Sequence, residues 1–258
     1  GLLMATGGSG YDADAQAYIA AVETADGQSL ETAVKNAINA FVVGCKGDGI
    51  WSAIKASCIL AGARTLSGAL VPLVGTAPTN NGFVSGDYDR KLGPLGNTSS
   101  KYLDSNRSNS ADPQNNRHIA VYVTQHADRA STRAALGAYS GNAPGASGLL
   151  TTTTQRYYRI NYTSNSTPQV NDSSTLSGFW GASRSTASTV IGRYSGSNIS
   201  VSDNSSSPLA SNTMIYSRGG TSNWSGRLGF YSIGESLDLA LLDTQVTTLV
   251  NAIAAAIP

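Results

Sequence analysis

Apolar residues at helical spacing predict helices between Asp12 and Lys55. Asp12 and Ser29 are candidate N-caps, and Gly44 suits the left-handed position that ends a helix. We expect Trp51, on the third segment, to lie in the core. The apolar positions of the three successive segments are Tyr18, Ile19 and Val22; Leu30, Val34, Ile38, Phe41 and Val42; and Ile50, Trp51 and Ile54.

From about Ala56 the pattern changes to short runs separated by Gly, Asn, Ser and Pro. Ile119, Val121 and Val123 alternate with smaller or polar neighbours, which is typical of a strand with one buried face. Many short strands at similar spacing predict a sandwich or a barrel. The candidate strands are Cys58 to Ala63, Ala69 to Val74, His118 to Thr124, Thr152 to Tyr162, Gly178 to Ala182, Thr189 to Tyr194, Ile199 to Val201, Thr213 to Ser217 and Gly226 to Ile233.

Two stretches between these runs carry weaker signals. Gly196-Ser197 predicts a hairpin turn between two strands. The polar stretch from Gly75 to Gln114 is too long for a structureless loop, so we expect further strands within it.

The C-terminal segment returns to helical spacing, with Ser236 or Asp238 available as its cap. We expect this helix to pack on the β-domain, and an exposed oligomerisation seam is the alternative. Its apolar positions are Leu239, Leu242, Val246, Leu249 and Ile253.

Composition narrows the function classes. Only 13% of the 258 residues are charged and the formal net charge is +1, whereas 35 Ser, 23 Thr, 18 Asn and 28 Gly supply neutral polar groups. A chain without a Lys/Arg cluster lacks the electrostatic footprint of a nucleic-acid binder. We also find no continuous apolar run long enough to span a bilayer, so no membrane insertion is expected.

Cys45 and Cys58 flank apolar runs, and we expect buried free thiols, with a single disulfide as the alternative. The first ten residues contain no basic region and only a three-residue apolar patch, so they do not resemble a signal peptide. We interpret Gly1 as a cut end or as the continuation of a longer sequence.

The search for catalytic groups finds few candidates. His118 and His126 flank a strand, and nothing in the sequence nominates a partner for either. A sandwich glycosidase needs two acids that flank the sugar bond. The chain has only Glu23, Glu31 and Glu235, and Glu235 lies with Asp238 near a helix start, where acids are favoured by the helix dipole.

Aromatic faces and amide groups, which sugar-binding sites use, are abundant in the predicted strands. The same groups serve core packing equally well, so only the composition suggests sugar binding. The candidates are Tyr157, Tyr158, Tyr162, Tyr194, Tyr216 and Tyr231, with Trp180 and Trp224. Asp87, Asp89 and Asp104 are candidate calcium ligands, although their spacing fits no known ligand loop. Sequons at Asn97, Asn161 and Asn223 follow from the Asn- and Ser-rich composition.

Several short motifs occur in an order found in a known family. The motifs are Gly49-Ile50-Trp51-Ser52-Ala53-Ile54-Lys55, then Gly62 and Gly75, a loop from Gly93 to Gly96, and Lys101-Tyr102-Leu103-Asp104-Ser105-Asn106. Near the C-terminus, Phe230-Tyr231-Ser232-Ile233-Gly234-Glu235-Ser236-Leu237 precedes a helix. In this order they resemble a widespread family of tailed-bacteriophage virion proteins. The resemblance implies a concanavalin A-like, laminin-G-like sandwich and an oligomeric, non-enzymatic part of a phage particle.

We therefore expect a mainly β protein, a concanavalin A-like jelly-roll β-sandwich with an N-terminal helical segment and a C-terminal helix. Residues 1–55 would form the extension and helical segment, and residues 56–258 the sandwich domain. The expected function is that of a virion structural protein on the phage surface, either a tail fibre or appendage or a head-surface fibre or decoration.

No catalytic residue, cofactor or metal is expected, and the sequence assigns no ligand-binding residue. Expected partners are other virion proteins, further copies of the chain and a host-surface glycan, and no nucleic acid is expected. The alternatives are a lectin-like carbohydrate-binding adhesion module of a bacterial surface protein and a glycan hydrolase.

Overall fold

A computed structural model describes residues 10–126, 129–141, 143–163, 169–171 and 177–258. Its helices are α1 (Ala13–Asp26), α2 (Thr32–Gly47), α3 (Leu66–Ala69) and α4 (Leu239–Ala256). Its strands are β1 (Ile54–Ile59), β2 (Thr79–Asn81), β3 (Tyr88–Asp89), β4 (Gly93–Pro94), β5 (Tyr102–Ser108), β6 (Arg117–Gln125), β7 (Arg133–Ala138), β8 (Ser147–Thr151), β9 (Gln155–Arg159), β10 (Gln169–Asn171), β11 (Gly178–Arg184), β12 (Thr189–Tyr194), β13 (Ser197–Ser202), β14 (Asn212–Ile215) and β15 (Arg227–Gly234).

Two antiparallel sheets form a sandwich. One has six strands in the order β1-β15-β6-β11-β12-β13, and the other has seven in the order β10-β9-β8-β7-β14-β5-β2. Strands β3 and β4 form a small separate ribbon. The predicted mainly β sandwich with helices near both ends is confirmed.

The first of two hydrophobic cores lies between the sheets. Leu136, Leu149 and Tyr158 are neighbours in register across β7, β8 and β9. They belong to the same buried cluster as Trp180 and Tyr231 of the six-stranded sheet. Alternate residues of each strand therefore point into this core, as a pleated sheet requires.

The second core lies on the other face of the six-stranded sheet, beneath the helices. Phe230, next to inward-facing Tyr231, points outward, and its ring centroid is 5.5 Å from that of Phe41 in α2. Helix α4 packs against α2 and adds Leu242 and Val246 to the same cluster. The predicted packing of the C-terminal helix on the sandwich is confirmed. Because β15 is covered on both faces, nearly all of its residues are buried.

Helix α4 also meets the length and composition of a membrane span, with 18 residues and a mean hydropathy of 1.4. The search for continuous apolar runs missed this, because Asp, Thr and Gln interrupt the segment. In the structure its apolar face contacts α2 and the six-stranded sheet.

Several predicted helix limits are wrong because tertiary contacts override local signals. Helix α2 begins at Thr32 and not after Ser29. It continues through Gly44 to Gly47, and Gly44 provides space for α4, since a Cβ there would lie 2.2 Å from Gln245 Oε1. Trp51 lies in a 3-10 turn, with Lys46 Nζ 5.7 Å from its ring centroid, and it packs against the helical core while only half-buried, so it lies at the edge of that core and not within it as predicted.

The strand predictions are corrected at three places. The predicted strand from Ala69 to Val74 begins instead as the last residue of α3 and continues as a loop. Strands β7, β8 and β10 were missed, whereas the predicted additional strands between Gly75 and Gln114 are present as β2 to β5. The β12–β13 turn uses Ser195 and Gly196, one residue earlier than predicted, with φ of 49° and 76°.

Candidate functional site

Most of the candidate aromatic residues are core residues. Tyr158, Tyr162, Tyr216, Tyr231, Trp180 and Trp224 are all at most 2% exposed. Tyr157 and Tyr194 are half-buried, and the guanidinium groups of Arg159 and Arg156 lie over their rings. The structure therefore does not assemble these eight residues into an open sugar-binding surface.

His118 is a buried core residue. Its Nδ1 lies 2.5 Å from the carbonyl oxygen of Glu235, and its Nε2 lies 2.7 Å from Ser232 Oγ. A carbonyl only accepts hydrogen bonds, so Nδ1 carries the proton and Nε2 accepts from Ser232. Burial lowers the pKa of His118 to about 4, which keeps the ring neutral. His126 is half-buried just beyond the end of β6.

The acidic candidates make separate structural contacts. The Glu ion pairs are Lys35 with Glu23, Arg64 and Arg90 with Glu31, and Lys55 with Glu235. Asp238 caps α4, since its Oδ1 accepts from the backbone N–H of Ala240 at 2.7 Å. Among the described residues no three His, Cys, Asp or Glu side chains gather into a metal site, so the calcium hypothesis for Asp87, Asp89 and Asp104 is wrong.

The remaining sequence candidates are also structural. Cys45 and Cys58 are free and buried, as predicted, and burial raises the pKa of each thiol to about 12. Asn161 and Asn223, from two of the sequons, are at most 2% exposed and are hydrogen-bonded within the fold.

Two clefts, of about 350 Å³ and about 420 Å³, lie beside α4 over the outer face of the six-stranded sheet. Together we call them the α4 groove. The first is lined by Ser183, Ser185, Ile191, Asn198, Ser236, Leu237, Asp238 and Leu239. The second is lined by Tyr122, Gly178, Phe179, Ser195, Gly196, Asp243, Thr244, Thr247 and Thr248.

Local contacts position the start of α4 over the sheet. The backbone N–H and hydroxyl of Ser236 both donate to Asn116 Oδ1, at 2.9 and 2.6 Å. Gly181 of β11 allows close packing, because a Cβ there would lie 3.0 Å from Leu239 Cδ2. The helix is thus held against β11, and the groove opens beside it toward β12 and β13.

An ion pair links the two clefts. Arg193 Nε donates to Asp243 Oδ2 at 2.7 Å, and Arg193 Nη1 donates to Asn198 Oδ1 at 2.9 Å. Asp243 lines the second cleft and Asn198 lines the first. Thr247 Oγ1 donates to Asp243 Oδ1 at 2.9 Å, so both carboxylate oxygens have a fixed partner. The pair is held rigidly, with each side chain only 12% exposed.

The second cleft combines an aromatic ring with several hydroxyl groups. Tyr122 is half-buried, and burial raises the pKa of its phenol, an effect that a hydrogen bond with Thr247 partly offsets. Ser195 lies in the positive-φ turn that closes β12 and β13. Such a cleft can pack an apolar face of a ligand on a ring while its rim exchanges hydrogen bonds.

Sequence reasoning missed these residues. Asp243 falls on the polar face of the C-terminal helix, where a sequence pattern alone gives no sign of burial, yet it is 9% exposed. Its partner Arg193 lies 50 residues earlier in the chain. An isolated Arg in a predicted strand was the only available signal, and it does not identify the helix that covers it.

Comparison with known proteins identifies the fold. No family model matches the chain, and no curated protein matches it. Solved structures similar to it include the botulinum neurotoxin serotype D/C binding domain, at 11% identity and a TM-score of 0.51, covering 78% of this chain and 52% of that one. A structure of botulinum neurotoxin type C, which interacts with two ganglioside molecules, matches at 12% identity and a TM-score of 0.50, with the same coverage.

The chain therefore spans about half the length of these toxin chains. A carbohydrate-binding module of a Ruminococcus gnavus sialidase bound to sialyllactose gives a TM-score of 0.40 at 12% identity, covering 51% of this chain and 83% of that one. At 11–12% identity, the likeness to the two toxin structures shows a shared β-sandwich fold.

Proposed function

We propose that this protein is a non-catalytic carbohydrate-binding β-sandwich that binds glycans in the α4 groove. The observation that carries the proposal is the rigid Arg193–Asp243 pair beside the half-buried ring of Tyr122. A sugar offers an apolar C–H face and vicinal hydroxyl groups. The ring of Tyr122 can pack on the C–H face, and the carboxylate of Asp243, the guanidinium of Arg193 and the hydroxyl groups of the cleft can bind the sugar hydroxyls.

The size and lining of the groove fit a shallow saccharide site. Both clefts lie within the ~300–1,000 Å³ usual for ligand sites, where a few placed polar groups fix the orientation of the ligand. Proteins with a similar fold, the botulinum toxin binding domains, include one that interacts with gangliosides. That likeness supports the sandwich as a scaffold for glycan recognition, and the groove supplies the residues.

We place this binding activity on the surface of a tailed phage, as part of a tail fibre or a head decoration. The proposal rests on the resemblance of segments at both ends of the domain, which are neighbours in the structure. Cys58 of β1 pairs with Tyr231 of β15, and the backbone N–H of Glu235 donates to the carbonyl oxygen of Ala53 at 2.9 Å. An image reconstruction of the phage particle tests this placement, and genes for portal or capsid proteins beside this one would support it. A gene neighbourhood without virion proteins favours the bacterial adhesion module.

A glycan array tests the binding proposal directly. Single sites of this kind bind weakly, so the protein is presented in multiple copies to gain avidity. We expect binding to a restricted set of glycans. Asp243→Asn should reduce the affinity for those glycans at least tenfold, because it removes the carboxylate that holds Arg193.

Matched Tyr→Phe variants distinguish the groove from the rest of the surface. Tyr122→Phe removes one hydroxyl from the second cleft, and Tyr157→Phe removes one from the seven-stranded sheet. We expect weaker binding for the first and unchanged binding for the second. Equal effects of the two changes, or no binding to any glycan, would refute the proposed site.

An assay for hydrolysis of polysaccharides tests the proposal that the protein is not catalytic. If the protein released reducing ends from a polysaccharide, and Glu235→Gln or Asp238→Asn abolished that release, the protein would be a glycan hydrolase.

A further inference from the structure

We infer that the α4 groove selects neutral saccharides of at least two rings and discriminates against sialylated or otherwise carboxylated ones. This inference rests on the proposed function, and it names the ligand class of the same site. It rests on the charges of the groove, on the hydrogen bonds that occupy the N-terminus of α4, and on the free donor and acceptor positions of the Arg193–Asp243 ion pair.

The charge balance of the groove is negative. Asp238 lines the first cleft and Asp243 lines the second. Among the described residues, Arg193 is the one cation in contact with the lining side chains, and it is already paired with Asp243. A ligand carboxylate therefore meets one net negative charge, and like charges at short range repel.

The start of α4 does not compensate for this charge. A helix N-terminus attracts anions when its first N–H groups are free. Here the N–H of Ala240 donates to the side chain of Asp238, and the N–H of Leu242 donates to the carbonyl oxygen of the same residue. The carboxylate of Asp238 thus already occupies the position that a ligand anion would take.

The central ion pair favours hydroxyl groups. Arg193 uses Nε and Nη1 for Asp243 and Asn198, so its Nη2 remains available as a donor within the described residues. Each oxygen of Asp243 has a fixed donor and retains a further lone pair. A sugar hydroxyl can accept from the guanidinium and donate to the carboxylate, whereas a ligand carboxylate can only accept.

The two clefts lie on either side of this pair, which sets the length of the ligand. Asn198 of the first cleft and Asp243 of the second both bind the same guanidinium group. A saccharide whose linkage crosses Arg193 places one ring in each cleft, so a disaccharide is the shortest ligand that uses both.

Matched pairs of glycans test the inference. A glycan array carries neutral oligosaccharides beside the same oligosaccharides with a terminal sialic acid, and calorimetry then measures the affinity for each pair that binds. We expect the sialylated member to bind at least tenfold more weakly than the neutral one. Equal or tighter binding of the sialylated member would overturn the inference and leave the proposed function intact, whereas no binding to any glycan would overturn both.

The variant Asp238→Asn separates charge from shape. Asn is also a good N-cap, so the fold is preserved while one negative charge is removed. We expect the affinity for the sialylated glycans, relative to that for their neutral partners, to rise several-fold. Asp14→Asn, which removes a charge from α1, is the matched control and should leave this ratio unchanged. If Asp238→Asn leaves the ratio of the two affinities unchanged, charge does not set the selectivity and the inference is wrong.

The length of the ligand is tested on the same protein. A monosaccharide taken from a glycan that binds should bind at least tenfold more weakly than its disaccharide. Equal affinities would show that only one cleft is used, against the two-ring inference.

Discussion

The two faces of the six-stranded sheet are buried in different ways. The inner face meets a second sheet, and aromatic rings such as Trp180 and Tyr231 are fully buried between the two. The outer face meets helices and is covered mainly by aliphatic side chains. The helices leave the edge strand β13 largely exposed, and the α4 groove lies beside this uncovered edge. Burial of aromatic residues therefore stabilises one side, and incomplete cover leaves open clefts on the other.

Two tryptophan variants test this contrast most strongly. Trp180→Ala should lower the free energy of unfolding by about 3–5 kcal/mol, because it opens a cavity between the sheets. Trp51→Ala, on the helical side, should cost only about 1–2 kcal/mol, since Trp51 is already half-buried. Urea denaturation measures both, and equal losses would show that the two sides are packed alike.

Acid should weaken the fold through His118. Its pKa is about 4 in the folded protein and 6.5 when unperturbed, so between these values the unfolded chain binds more protons. The contribution of His118 to stability is fully present above about pH 6.5 and is lost as the pH falls toward 4, by about 3 kcal/mol. Denaturation curves of the wild type and of His118→Gln, compared across this range, measure the difference. A wild type with the same slope as the variant would contradict a buried neutral histidine.

A glycine on the inner face should tolerate substitution poorly. A Cβ on Gly192 would lie 2.5 Å from Tyr158 Cδ1, so Gly192→Ala should cost about 1–3 kcal/mol through overpacking. Gly47→Ala at the end of α2 is the control, because nothing lies within 4 Å of its Cβ position. Thermal unfolding distinguishes the two, and a neutral Gly192→Ala would mean that the inter-sheet core has spare room.

The smallest predicted loss of stability concerns the N-cap of α4, on the helical side of the six-stranded sheet. Asp238→Ala removes the N-cap of α4 and should cost about 1 kcal/mol, whereas Asp238→Asn should cost little. Thermal unfolding of both variants measures this difference. Because the groove depends on where α4 starts, a large loss in the Asn variant would disqualify it as a charge probe for ligand binding.

The periodic signals in the sequence predicted much of the fold. Alternation across Ile119, Val121 and Val123 identified β6, and the apolar stripe of the last segment identified α4 and its packing. Strands β7 and β8 were not predicted because they are rich in Ala, Gly and Ser, which have low strand propensity. They form strands because β7 pairs with β14 and β8, and β8 pairs with β7 and β9.

The candidate site could not be predicted for a different reason. The composition indicated tyrosines in strands as candidate binding residues. A strand pattern, however, does not show which face of a sheet another sheet will cover. Tyr158 therefore lies in the core, whereas Tyr122, which was not considered, lines the groove. The Arg193–Asp243 pair depends on a helix and a hairpin that meet only in the finished fold.

The position of β1 has a consequence for how the chain acquires its structure. Its strand neighbour is β15, and Cys58 contacts Tyr231 across 173 residues. Helix α2 likewise packs on α4, the last helix of the described chain. During synthesis α2 therefore leaves much of its apolar stripe uncovered until α4 has been made. A long loop closes slowly, so we expect folding to be slow and to depend on completion of the C-terminal strand and helix.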